Sequence, residues 1–168
     1  MTVSLFSFVD MYAKGLATLQ NLLEKGRAFA AEQSIDEQDM LGWRLAEDMF
    51  PLWRQAQIVA VFGLRWPSRV AGLPEIDEPD GEMSFDELFA LIAQSRASLA
   101  ALTPAQFDGK GDEPFTMDLR IMKPTMPIEQ WVTGFATTNF YFHLSIAYAI
   151  LRRHGVALGK ADLFAGGL

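Results

Sequence analysis

Apolar residues recur every three or four positions along most of the chain, and this spacing predicts helices. The pattern first holds over residues 5–30, which predicts a long first helix. Residues 34–37 have the form of a capping box, with a serine and a glutamate placed to satisfy free backbone N–H groups, so a short second helix is expected there. Asp48 is placed to cap a third helix, with Pro51 in its first turn and a kink or break just before Pro67.

The second half of the chain continues the helical pattern after Gly72, which is expected to end the third helix. A second capping box at residues 84–87 opens a fourth helix. Glycine and proline breaks surround residues 115–121, whose mixed alternation predicts a small β-hairpin. The last long helix is expected from Glu129 to about His154. Together these elements predict an all-α four-helix bundle with a short extra helix and a small hairpin before the last helix, in a single domain of 168 residues.

The composition narrows the classes of function. The chain has no cysteine, which excludes thiolate metal sites, iron–sulfur clusters and cysteine nucleophiles. The first eight residues lack the basic start of a signal peptide. The longest apolar stretch, residues 140–151, is shorter than the roughly 20 residues that cross a bilayer. We therefore expect a cytoplasmic protein that does not enter a membrane.

The negative charge is concentrated in one place. The net charge is −7, and residues 75–87 supply seven acids without an intervening base. An acidic chain without a basic stripe is not expected to bind nucleic acid. We interpret the acidic segment, residues 75–87, as a solvated loop between helices; the alternative is a site for a cation or a basic partner protein.

The last helix carries apolar residues on two opposite faces. One face centres on Asn139 and His143 and is expected to point into the core. The other face consists of Phe140, Tyr141, Leu144, Tyr148 and Leu151. A domain of this size covers one face of such a helix, so the second face is predicted to be the interface of a homodimer. Burial of that face under the hairpin is the alternative.

Two polar residues lie on the face expected to be buried. Asn139 and His143 are one helical turn apart, and each would cost roughly 1–3 kcal/mol if buried without a hydrogen bond. Gln55, Gln57 and Asp48 of the third helix are their candidate partners. The arrangement is typical of a satisfied polar network or a small polar pocket, for which a small-molecule ligand is conceivable. The alternative is a divalent-metal-dependent enzyme in which His143 binds the ion.

Several motifs are similar to those of one known family. They occupy residues 48–52, 55–58, 139–143, 147–152 and 155–160. Together they resemble the uncharacterised, mostly bacterial domain-of-unknown-function family nineteen ninety-three, and the resemblance covers nearly the whole chain. It implies a DinB-like (damage-inducible) helical bundle, a fold class whose better-known members bind a divalent metal through three histidines and are often dimeric.

The resemblance also implies where that metal site would lie. The two histidines of the last helix would fall on Asn139 and His143, and only the second is retained. The remaining histidine would come from the second long helix, where this chain has Gln55, Gln57 or Asp48 instead. The resemblance therefore implies a degenerate metal site, and we expect no cofactor. The alternative it leaves is a metal-dependent thiol transferase or hydrolase.

Overall fold

The computed structural model describes residues 4–167. In chain order the elements are α1 (Ser7–Gln33), α2 (Glu37–Leu41), α3 (Leu52–Val70), α4 (Phe85–Ala100), β1 (Pro114–Thr116), β2 (Thr125–Pro127), α5 (Ile128–Gln130) and α6 (Thr137–Arg153). A π-helical segment, Trp131–Ala136, joins α5 to α6. The prediction of an all-α bundle with a short extra helix and a small hairpin is confirmed. No helix within these residues combines the length and apolar character needed to cross a bilayer.

The bundle is organised around α1 and α3, which pack against each other and against both α4 and α6. Phe140 of α6 is fully buried between the two central helices. A Cβ on Gly15 of α1 would overlap its ring, and a Cβ on Gly63 of α3 would lie 3.0 Å from it. The two glycines therefore form the space that lets a phenylalanine of α6 enter the core.

The boundary between α1 and α2 differs from the prediction. Ser34 does not start a helix; it ends α1 in the left-handed conformation, with φ 55°. The cap of α2 is Asp36, whose side chain accepts hydrogen bonds from the backbone N–H groups of Gln38 and Asp39 at 2.8 and 3.2 Å. The predicted capping box at residues 34–37 is therefore wrong, because the closer carboxylate takes the free N–H groups of the first turn.

Helix α3 also begins later than predicted. Its N-cap is Pro51, and Asp48 lies exposed in the preceding turn without capping the helix. The prediction near Trp66 was a kink or a break; the helix continues through Pro67 to Val70, so the break does not occur. Trp66 and Val70 are both buried and hold the last turn against the core.

The end of α3 follows the prediction. Gly72 has φ 70°, and the N–H of Leu73 donates to the carbonyl of Ser68 at 2.9 Å. This is the Schellman arrangement, in which a left-handed glycine lets the chain satisfy the last carbonyls of a helix. Gly72 therefore terminates α3 as expected.

The second capping box and the hairpin are both present. The N–H of Glu87 donates to Ser84 Oγ at 3.3 Å, and the N–H of Ser84 donates to the Glu87 carboxylate at 2.8 Å. In the hairpin Phe115 pairs with Met126. The strands are shorter than residues 115–121 suggested, because the chain from Met117 to Pro124 forms the connection between them.

The acidic segment, residues 75–87, is the connection from α3 to α4, and part of it is held against α3. Glu78 forms ion pairs with Arg54 at 2.5 Å and with Arg65 at 3.4 Å. Glu75 pairs with Arg69. The expectation of a solvated loop is therefore incomplete. Three arginines of α3 form ion pairs with two acidic residues of the segment.

Candidate functional site

The bulky face of α6 lies in the core. Phe140, Leu144 and Leu151 are 0%, 2% and 0% exposed within the single chain. Their assignment to a dimer interface is therefore wrong, because they are already covered by the other helices of the bundle. Of the predicted interface, Tyr141 remains 39% exposed and Tyr148 is half-buried.

The opposite face of α6 lies closer to solvent than predicted. Phe142 is 51% exposed, and Asn139 is half-buried. His143, which follows Phe142 in the chain, is 8% exposed and lies at the edge of the core. Of the two polar residues expected to face the core, His143 is therefore buried, whereas Asn139 is partly exposed to solvent.

The imidazole of His143 is bonded to α3. Its Nδ1 lies 2.6 Å from Gln55 Oε1, and Gln55 Nε2 donates to the carbonyl of Phe50 at 3.0 Å. The second bond fixes the orientation of the glutamine amide, so its oxygen faces the ring. An amide oxygen only accepts hydrogen bonds, so Nδ1 carries the hydrogen and Nε2 is left with a free lone pair. Within the described residues Nε2 has no hydrogen bond.

The surroundings keep His143 neutral. Burial, and secondarily the nearby guanidinium of Arg54, lower the pKa of His143 from 6.5 to about 4. Since the unfolded chain binds a proton at this position below about pH 6.5, the contribution of His143 to stability is lost as the pH falls from 6.5 towards 4. At neutral pH the ring is therefore an acceptor of hydrogen bonds through Nε2.

The other candidate partners do not join this pair. Gln57 is fully buried, accepts a hydrogen bond from Arg54, and donates to the carbonyl of Pro79 at 2.7 Å. It therefore holds the acidic segment against α3. In the part of the chain that the structure describes, the side chains of Asp48 and Asn139 make no hydrogen bond or ion pair. The structure thus joins His143 to Gln55 alone among the five pocket candidates.

An open groove lies on the same side of α6 as Asn139. It has a volume of about 460 Å³. The lining residues are Gly134, Phe135, Thr138, Asn139 and Phe142, and we call this the surface groove. A Cβ on Gly134 would meet nothing within 4 Å, so the absence of a side chain there leaves space. Gly134 and Thr138 were not identified from the sequence.

The groove begins in the π-helical segment, whose wide turns are stabilised by hydroxyl groups. Thr137 Oγ1 donates to the carbonyl of Val132 at 2.7 Å and lies 3.2 Å from the hydroxyl of Tyr12. Burial raises the pKa of Tyr12 to about 12, so the phenol stays protonated. π-Helical turns are rare in proteins, and those that occur are often found at functional sites. The feature of the sequence that could have indicated this irregular segment is the pair of threonines at positions 133 and 137, since the hydroxyl of each donates to a carbonyl of the preceding turn.

The residues present do not fit the three-histidine metal site of the fold class. The second histidine of the chain, His154, stacks on Trp43 with ring centroids 3.9 Å apart. Between residues 4 and 167 no three His, Asp or Glu side chains lie close enough together to hold a metal ion. The side chain hydrogen-bonded to His143 is the neutral amide of Gln55, and amides are weak ligands for the transition metals that imidazole favours. The residues around His143 therefore do not form the metal site of the fold class.

Comparison with known proteins places the chain. The family model described as "Domain of unknown function (DUF1993)" matches residues 6–164. The chain is similar to the crystal structure of a DinB family member protein from Shewanella denitrificans at 1.83 Å resolution, with 29% sequence identity and a TM-score of 0.84. That alignment covers 95% of this chain and 90% of the other. No curated protein matches. The DinB-like bundle predicted from the motifs is confirmed.

Proposed function

The chain belongs to the family described as a domain of unknown function (DUF1993), and from that premise we propose that it is a metal-independent protein that binds a small molecule in the surface groove. The observation that carries the metal-independent part of this proposal is the pairing of His143 with Gln55. It gives the imidazole a neutral partner in place of a metal ligand. The family places the fold, whereas the function has to be argued from the site.

The groove has the features of a small-molecule site. Two phenylalanines, Phe135 and Phe142, provide apolar surface, and Asn139 provides a carboxamide without a partner among the described residues. Binding pockets combine mostly apolar walls with a few polar groups that orient the ligand.

The proposal is tested by titrating the protein with phenol after treatment with a chelator. We expect phenol to shift the backbone amide NMR signals of residues 134–142, because a single ring with a hydroxyl suits the aromatic walls and the carboxamide. Replacing Gly134 by leucine fills the groove and is expected to abolish those shifts. Gly159→Leu is the matched control, since a Cβ at that glycine also meets nothing within 4 Å. Shifts scattered over the surface, or binding lost on chelation, would contradict the proposal.

We further propose that the protein is a homodimer whose interface includes Tyr141 and Tyr148. Tyr141 and Phe164 are 39% and 47% exposed and line the same shallow depression beside α1. Aromatic residues are enriched where subunits meet. This surface lies on a different side of α6 from Asn139, so a dimer formed there leaves the groove open.

Light scattering coupled to size-exclusion chromatography tests the dimer. The wild-type protein is expected to have twice the mass of one chain, and Tyr141→Glu is expected to be a folded monomer because a charge would be buried at the interface. Phe142→Glu, which adds the same charge to the neighbouring exposed position, is expected to stay dimeric. A wild-type protein with the mass of one chain would show that the interface does not exist.

A further inference from the structure

We propose that the surface groove takes a neutral, planar two-ring compound with a lactam edge, meaning adjacent N–H and C=O groups, which pairs with the carboxamide of Asn139. This inference rests on the proposed function, because it names the class of ligand for the same groove. It follows from the size of the groove, the chemistry of its walls and its two polar side chains, Thr138 and Asn139, which make no hydrogen bond within residues 4–167. Of these two, the carboxamide of Asn139 offers a donor and an acceptor side by side.

The spacing of the aromatic walls sets the size of the ligand. Phe135, in the π-helical segment, and Phe142, in α6, are seven residues apart, and both line the groove of about 460 Å³. Gly134 adds no side chain beside the first ring, so the space between the two walls stays open. A fused two-ring compound lying along the helix surface contacts both phenylalanines, whereas a single ring contacts one of them. Offset stacking and edge-to-face contacts with aromatic rings favour a planar ligand.

The polar groups of the groove determine which hydrogen-bonding groups the ligand needs along its edge. The side chain of Asn139 makes no hydrogen bond within residues 4–167, so both its N–H₂ and its carbonyl are available. A carboxamide that offers one donor and one acceptor pairs in two bonds with a planar edge that offers the complementary acceptor and donor. A lactam has that edge. No charged side chain lines the groove, so a charged ligand would lose hydration without gaining a partner.

The groove is held in shape before a ligand arrives. The π-helical turns beneath it are fixed by the bond from Thr137 to Val132 and by the buried hydroxyl of Tyr12. Trp131, at the start of the segment, is 1% exposed and donates through its indole N–H to the carbonyl of Phe115 in β1 at 2.8 Å. A preformed site loses less conformational entropy on binding, which favours a rigid ligand.

Two matched compounds test the inference by isothermal titration calorimetry. One is 2-quinolinone, which has the two rings and the lactam edge; the other is N-methyl-2-quinolinone, which keeps the rings and the carbonyl but lacks the N–H. We expect the N-methyl compound to bind about three- to tenfold more weakly, the effect of one lost neutral hydrogen bond. In Asn139→Leu the two compounds are expected to bind equally. Phe142→Ala is expected to weaken both by about tenfold. Phe50→Ala, at an equally exposed phenylalanine outside the lining of the groove, is expected to leave both unchanged.

The outcomes separate this inference from the proposed function. If phenol shifts the groove amides but the two quinolinones bind with the same affinity, the groove binds small molecules and the lactam class is wrong. If 2-quinolinone does not bind while phenol does, the two-ring size is wrong. If neither phenol nor the quinolinones bind at residues 134–142, the proposed function is wrong as well. Tighter binding of 2-quinolinone that disappears in Asn139→Leu supports the inference.

Discussion

Replacing Phe140 by alanine is expected to lower the free energy of unfolding by about 3–5 kcal/mol, as large-to-small substitutions of buried aromatic residues do. The ring is fully buried, and its centroid lies 5.0 Å from that of Tyr12 in an edge-to-face arrangement. The gaps at Gly15 and Gly63 accept this ring, with the Leu16 side chain also close to the gap at Gly63, so truncation leaves a cavity. Urea denaturation followed by circular dichroism measures the change.

Phe142→Ala is the matched control for this prediction. Phe142 is two residues further along the same helix and is 51% exposed, so its truncation removes little buried surface. We expect a much smaller loss of stability than for Phe140. Equal losses of stability at the two positions would contradict the packing of Phe140 inside the bundle. A Phe140→Ala protein that is as stable as the wild type but monomeric would place Phe140 at the dimer interface.

Replacing Gln55 by leucine is expected to lower the free energy of unfolding by about 1–3 kcal/mol, the cost of leaving a buried donor without a partner. Gln55 is 1% exposed, and its loss removes the acceptor for His143 Nδ1 and the donor to the carbonyl of Phe50. The same denaturation experiment measures the change. Gln33→Leu, at an exposed glutamine of α1, is expected to have little effect.

A double variant distinguishes the hydrogen bond from the loss of packing. Combining Gln55→Leu with His143→Phe replaces both members of the pair by apolar side chains, which is far less costly than orphaning one of them. We expect the double variant to regain part of the stability that Gln55→Leu loses. If the two substitutions are additive, His143 and Gln55 are not coupled, and the observation that carries the metal-independent part of the proposed function fails.

The sequence predicted the elements of the fold better than the faces of α6. The capping box at Ser84 and the glycine end of α3 are local signals, because a few neighbouring residues satisfy one helix terminus. The face of α6 depends on distant residues. Nothing near Phe140 in the sequence reveals that Gly15 and Gly63 leave room for its ring.

The sequence did not predict the surface groove, nor the ion pairs that hold the acidic segment against α3, and the two reasons are related. A helical wheel at about 100° per residue assumes α-helical turns, and the π-helical segment Trp131–Ala136 changes that angle just before Asn139. Glu78 and Arg54 form an ion pair although they are far apart in the sequence, so the pattern of charges along the chain did not predict it. The pair of His143 and Gln55 was among several alternatives that the sequence left open, and only the packing of α6 on α3 selects between them.

The central claim is that His143 is a neutral ring held by a glutamine rather than a metal ligand. Long-range ¹H–¹⁵N NMR of the histidine rings, recorded across pH and with added Zn²⁺, tests it most directly. We predict that His143 carries its hydrogen on Nδ1, stays neutral down to a pKa of about 4, and gives the same spectrum with and without one equivalent of Zn²⁺. A ring that titrates near 6.5, or an Nε2 signal that moves to a metal-bound position on addition of Zn²⁺, would contradict the account.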